Sequence, residues 1–445
     1  MARRLAVVGG DAAGMGAAAQ AHRTDPNLEI VAFEKGDYTS YSACGIPYVV
    51  GGEVDGLEQL VARTPQEHRD RSLIDVRMRH EVTGIDVKSG KLEVRDHSHA
   101  RTIQVPFDDL MLGTGARPVR PDLPGIELPF VYGVQTLDDA AKLLHQAETS
   151  ECRNAVIVGG GYIGLELAES FVQRGARVTV LERGEHVLGT IDADMAATVE
   201  DAMRGIGIDV RLGVPATGFA DRIVQTDDGP ILADVVVLGL GVEPNTALAA
   251  DAGIDLGVRD AIKVDRRMRT SIDSVWAAGD CVESTHIVSG QQVHVPLGTL
   301  ANKQARVAGI NIGGGYATFA GTLGTAITKV CKTEIGRTGL SEREANGAGF
   351  DVVVAAIDGT TASRYLPDAP SIRVKLVVEK RTGRVLGGQI VGGRGAAKRI
   401  DVVATCITAG FDVQQVLDLD FGYAPPMSPL WDPIAVAARH ALSLL

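Results

Sequence analysis

The feature that most constrains this chain is a strand, glycine turn and helix that occurs twice. Ala155–Val158 reads as a short apolar strand. Gly159-Gly160-Gly161-Tyr162-Ile163-Gly164 follows, then a helix to about Gln173, a strand Val178–Leu181 and the acid Glu182. This is the complete GxGxxG layout, with the acid 18 residues after its last glycine. A tight turn of this kind lets a pyrophosphate meet a helix N-terminus, and the acid accepts a ribose hydroxyl. A carboxylate there favours NADH because it repels a 2′-phosphate, while the adjacent Arg183 keeps NADPH open.

The earlier copy begins with strand Leu5–Val8. Gly9-Gly10-Asp11-Ala12-Ala13-Gly14 follows, then an Ala-rich helix to about His22, a strand Ile30–Phe33 and Glu34, 20 residues after Gly14. Here Asp11 replaces the middle glycine. Two dinucleotide units in one chain imply one resident and one exchangeable cofactor, with electrons passing between them. Two further segments fit: DLMLGTG (Asp109–Gly115), and VWAAGD (Val275–Asp280), which ends on an acid.

The 445 residues predict two or three domains. Fifty-three glycines with only 4% aromatics suit an α/β protein rich in tight strand-to-helix turns. The arginines of MARRLAVVGG lead straight into a strand and a glycine turn, so this start reads as structure and not as a signal peptide. A net charge of −12 argues against a nucleic-acid partner. The five cysteines, at 44, 152, 281, 331 and 406, show no CxxC or metal-ligand spacing. No disulfide framework or metal site is expected, and a reducing cytoplasm fits.

Cys44 lies in SYSACGIPY, Ser40–Tyr48, where Gly45 and Pro47 suit a tight turn into a helix. A thiol at a helix N-terminus is expected to have its thiolate favoured. The other reading is a buried structural cysteine. From about Gly324, strands Ile372–Val378 and Gln389–Val391 flank a turn, and helices follow at Lys398–Ala409 and Val413–Leu417. They predict an antiparallel sheet with helices on one face.

Together these residues resemble the two-dinucleotide flavoprotein disulfide reductase family, over essentially the whole chain. The resemblance implies two Rossmann-like domains and a C-terminal α+β dimerisation domain. FAD would be held by residues 1–113 and 242–322 through Gly9, Gly14, Glu34, Thr114, Gly115, Asp280 and Gly298. NADH or NADPH would bind residues 114–241 through Gly159, Gly161, Gly164, Glu182 and Arg183. Dimerisation would use residues 323–445.

Position 49, where dithiol members carry a second cysteine, is Val49. The SxxxCGxPY pattern resembles the single-cysteine branch, which includes coenzyme A-disulfide reductases, persulfide reductases and NADH oxidases. The oxidases place a histidine where this chain has Ala12. Tyr423, in FGYAPP, and Tyr365, in RYLP, resemble tyrosines that in coenzyme A-disulfide reductases serve the partner subunit's cysteine. Leu366 and Asp368 depart from that pattern, as do Ala43 before the cysteine and His22 beside Arg23. The implied function is electron transfer from NAD(P)H through FAD to a disulfide or persulfide held on Cys44. The substrate would be coenzyme A disulfide or a similar small thiol, its anionic part met by Arg23, Ser40 and Lys303. The alternatives are an NADH oxidase and a flavin electron-transfer or redox-sensing protein.

Overall fold

The computed structural model describes residues 2–148 and 152–445. Its first sheet is parallel throughout, in the order Val275–Ala277, Asp109–Leu112, Arg4–Val8, Glu29–Glu34, Ile74–Met78. The central strand, Arg4–Val8, feeds the first glycine turn and helix Ala12–Thr24. Its interior residues are covered on both faces, which is why it reads as an unbroken apolar run.

The second sheet repeats the plan in the order Asp209–Leu212, Arg177–Glu182, Asn154–Val158, Val235–Leu238, Val131–Gly133, again all parallel. Asn154–Val158 feeds the second turn and helix Tyr162–Gln173. The chain passes between the two sheets through the antiparallel pair Ala116–Pro118 and Val242–Pro244. Thr114 Oγ1 donates to the Asn245 carbonyl at 2.7 Å, and Asn245 N–H donates to the Gly115 carbonyl at 3.0 Å.

The third sheet is antiparallel: Ala326–Val330, Thr333–Gly339, Val385–Gly392, Ser371–Glu379, Val352–Thr360. Its own helices Ile400–Ala409 and Pro433–Leu442 pack on it. Strand Val385–Gly392 is nevertheless buried at every position. The expectation of helices on one face is therefore incomplete, because the second unit supplies further cover. Gln389 Nε2 donates to Asp192 at 2.7 Å. The buried Lys375 ammonium sits between Asp194 at 2.7 Å and Asp192 at 3.0 Å. Edge strand Ala326–Val330 reaches the same unit, where Thr328 Oγ1 donates to Glu166 at 2.7 Å.

Candidate active site

The two glycine turns repeat each other bond for bond. Gly9 and Gly159 have φ of 108° and 107°. A Cβ on Gly9 would lie 2.1 Å from the Gly113 carbonyl oxygen, and one on Gly159 would lie 2.4 Å from that of Gly239. Neither position admits a side chain. Glu34 accepts from the N–H groups of Gly10 at 2.9 Å and Gly36 at 2.7 Å. Glu182 accepts from Gly160 at 2.7 Å and Gly184 at 2.6 Å. Each turn thus presents a helix N-terminus closed in by glycines with an acid on the next strand. This donor set fits the pyrophosphate and ribose of a dinucleotide.

Asp11 marks the difference between the two turns. It stands at the N-cap of helix Ala12–Thr24 but makes no capping bond with its side chain. Its carboxylate instead accepts from the Tyr41 N–H at 3.1 Å. Thr39 Oγ1 donates to the Gly10 carbonyl, and Ser40 N–H donates to it at 3.0 Å. Three consecutive residues therefore tie the Cys44 loop to the first glycine turn. Asp280, beyond strand Val275–Ala277, joins the same place. Gln304, on helix Gly298–Ile312, holds its turn by accepting from Gly279 N–H at 2.9 Å. Burial pushes the Asp11 and Asp280 carboxyls each up to about 6.

Cys44 lies in a single 3-10 turn, Ala43–Gly45, ahead of helix Ile46–Gly51, whose first turn carries Pro47 as expected. It is exposed, so it is not a structural core cysteine. The expectation of a favoured thiolate is corrected. Desolvation pushes the thiol up, and the carboxylates of Glu166 and Asp280 push it further. A six-residue helix whose first turn only follows the cysteine does not outweigh them.

The short Cys44 helix lies against helix Tyr162–Gln173 of the second unit. Ser170 Oγ donates to the Pro47 carbonyl at 2.6 Å, and Arg174 Nε bonds the Val50 carbonyl. Lys329, from the third sheet, sits 5.4 Å from the centre of the Tyr48 ring. All three regions thus converge behind Cys44. Glu166 arrives this way and was invisible in the sequence, since nothing in GYIGLELAES says which face meets another domain. His68 was missed too. It is 2% exposed, and its Nε2 lies 2.9 Å from Ser40 Oγ.

The remaining candidates are more scattered. Gly298 opens its helix, and Lys303 is exposed on it. Arg23 is exposed in the last turn of the first helix and donates to Gln20 Oε1 at 2.8 Å. Arg183 is exposed beside Glu182. Tyr365 and Tyr423 are 72% and 49% exposed on loops of the third region, and neither hydroxyl bonds Cys44 within the chain. The two loops are tied together. Ser363 N–H donates to the Pro425 carbonyl at 2.8 Å, while Arg399 donates to the carbonyls of Thr361 and Met427 and pairs with Asp432.

Two dinucleotide turns in parallel sheets, a solitary exposed thiol beside the first, and an antiparallel C-terminal sheet define a two-dinucleotide oxidoreductase. Residues 3–305 match the pyridine nucleotide-disulphide oxidoreductase family and residues 325–433 match its dimerisation domain. The chain belongs to that family, which uses FAD and NAD(P)H.

It is 38% identical over 442 residues to the NAD(P)H sulfur oxidoreductase (CoA-dependent) of Pyrococcus furiosus, covering 98% of each chain. It is 34% identical over 447 residues to a Methanocaldococcus jannaschii protein named NADH oxidase, covering 99% of each. The solved NAD-dependent persulfide reductase from A. fulgidus superposes with a TM-score of 0.96 at 37% identity, over 99% of this chain and 83% of that one.

Proposed function

We propose that the protein reduces a small disulfide or persulfide held on Cys44, drawing electrons from NAD(P)H. The observation that carries this is the exposed Cys44 thiol, tied by Thr39, Ser40 and Tyr41 to the first glycine turn. The relatives named for coenzyme A-dependent sulfur and persulfide reduction support it. FAD would be held by residues 1–113 and 242–322, with Gly9, Gly14, Glu34, Thr114, Gly115, Asp280 and Gly298 around it. NAD(P)H would lie on residues 114–241 against Gly159, Gly161, Gly164, Glu182 and Arg183. Residues 323–445 would join two subunits. The cysteine complement suits a reducing cytoplasm.

Bound FAD supplies two-electron transfer between NAD(P)H and sulfur. The chain's own residues do the rest. The Cys44 thiolate attacks one sulfur of the substrate, the substrate S–S bond breaks, and a Cys44 mixed disulfide forms. The departing thiolate takes a proton. Tyr423 of the second subunit would donate or position that proton, with Tyr365 beside it. Two electrons then return Cys44 to its thiolate and release the second thiol. Arg23 and Lys303 would hold an anionic tail such as that of coenzyme A, with Ser40 lining the approach.

Cys44→Ser is expected to lower disulfide turnover by about three orders of magnitude or more while the flavin remains reducible by NADH. Disulfide turnover that survives the change would sink the reading. Steady oxygen consumption without any thiol would favour an oxidase. Tyr423→Phe is expected to slow single-turnover release of the thiol by about a hundredfold; an unchanged rate removes its role.

A further inference from the structure

The second glycine unit reveals what the first one needs. Ser40 and Leu188 occupy matching places. Both are non-glycine residues in the left-handed region, with φ of 51° and 49°. Ser40 N–H donates to the Gly10 carbonyl at 3.0 Å, and Leu188 N–H donates to that of Gly160 at 2.8 Å. Such a conformation persists only where its surroundings over-determine it. Leu188 is fixed by burial, being 1% exposed within an apolar cluster. Ser40 offers no apolar anchor. Its hydroxyl lies 2.9 Å from His68 Nε2, on helix Pro65–Ser72.

The surroundings turn this bond into a lever on the cysteine. The Ser40 carbonyl accepts from Ala62 N–H at 2.8 Å, and Ser42 N–H donates to the Leu60 carbonyl at 2.9 Å. The segment leading to Cys44 is thereby paired with Leu60–Ala62, just ahead of the His68 helix. Gly45 closes the pairing, since a Cβ there would come 2.3 Å from Leu60 Cδ2.

We propose that His68 is a positioning residue for Cys44: its buried imidazole clamps Ser40 in the left-handed turn, and that turn aims the sulfur. This rests on the reading of Cys44 as the redox-active thiol.

The clamp is sensitive to protonation. A neutral ring can bond Ser40 in either tautomer. An imidazolium carries N–H on both nitrogens, and among the described residues buried Nδ1 has no partner. Desolvation, then Arg63, lowers the ring's pKa below the ordinary histidine range; Glu67 opposes this but is engaged by Thr64 in the capping box. On the adjacent strand, Asp75 is taken up by Arg77 at 2.9 Å and Arg69 at 3.6 Å. On the first helix, Arg23 is held by Gln20. The neutral ring is favoured by the fold. The clamp is therefore complete above the ordinary histidine pKa and is lost as pH falls through the lower folded value.

The test is alkylation of Cys44 by iodoacetamide in the full-length, flavin-loaded, reduced protein, read by mass spectrometry of the Cys44 peptide. His68→Phe keeps ring volume without the bond and should slow alkylation about three- to tenfold, the size of one hydrogen bond. His68→Gln keeps a partner for Ser40 but does not titrate. It should stay within about twofold of wild type near neutrality. The ratio of wild-type to His68→Gln rates, in which the shared thiol titration cancels, should hold from about pH 7.5 to about pH 6.5 and fall below that, as pH drops through the lowered folded value. A flat ratio together with a wild-type rate in His68→Phe overturns the proposal. Should His68→Phe lose flavin or fold poorly, the cycle of His68→Leu, which removes the bond, and Ser40→Ala decides. Non-additive losses support one shared bond, and additive losses overturn it. Alkylation needs no turnover, so failure here leaves the proposed function standing, and failure of the proposed function leaves this readout interpretable.

Discussion

The first and second glycine units share a backbone and differ in what they do with it. In both, a glycine with φ near 107° packs against a carbonyl where no Cβ fits. In both, a glutamate receives two backbone N–H groups, and a left-handed residue donates to the carbonyl of the turn's second residue, Gly10 or Gly160. The second unit fills its matching places with Gly161 and the buried Leu188. The first fills them with Asp11 and Ser40, both polar and both bonded to other groups. One scaffold is thus a plain glycine turn in one copy. In the other, added polar side chains stitch the Cys44 loop onto it.

The sharpest way to break this comparison is to put the same methyl group into each turn. Gly9→Ala and Gly159→Ala should each cost at least about 3 kcal/mol locally, because a left-handed φ and a sub-van-der-Waals contact coincide. The expected outcomes differ. Gly9→Ala should yield protein without bound flavin by absorbance. Gly159→Ala should keep its flavin but lose reduction by NADH. Equal flavin loss in both variants would undo the assignment of one cofactor to each turn.

A slightly smaller effect checks how each left-handed residue is held. Leu188→Ala should lower unfolding free energy by about 3 kcal/mol in denaturant titration, as expected for a fully buried leucine. A value within experimental error of zero would mean that burial does not hold that turn.

The smallest effect concerns Asp11, whose carboxyl burial pushes up to about 6. Because the folded value exceeds the unfolded one, ionisation destabilises the fold, and stability is lost as pH rises from about 4 through 6. Asn can still accept from Tyr41 N–H and carries no charge. Asp11→Asn should therefore raise the Tm of flavin-free protein at pH 8, by an amount corresponding to about 2 kcal/mol, and leave it nearly unchanged at pH 4. An equal shift at both pH values would show that charge is not the cause.

Much of this was legible because it is local. The strand, turn and helix of each unit announce themselves by apolar run, glycine spacing and terminal acid. Strand Asn154–Val158 and helix Tyr162–Gln173 lie where GxGxxG places them. Helix Val413–Leu417 begins at Asp412, which forms a capping box with Gln415. The surroundings of Cys44 were less legible. Its thiol responds to Glu166, which is 122 residues away in the chain and belongs to a different sheet's helix. The clamp on Ser40 comes from His68, in a helix whose sequence PQEHRDRS carries no functional signature.

The sequence alone determined which backbone conformations were admissible. Glycine at 9 and 159, Pro47 at a helix start and apolar runs at strand centres are choices made by sterics and by burial over a few neighbouring residues. Only the tertiary structure decided the electrostatics of the sulfur and the company of Ser40. Desolvation and Coulomb interactions depend on distance in space, and the groups that matter were brought there by packing between domains.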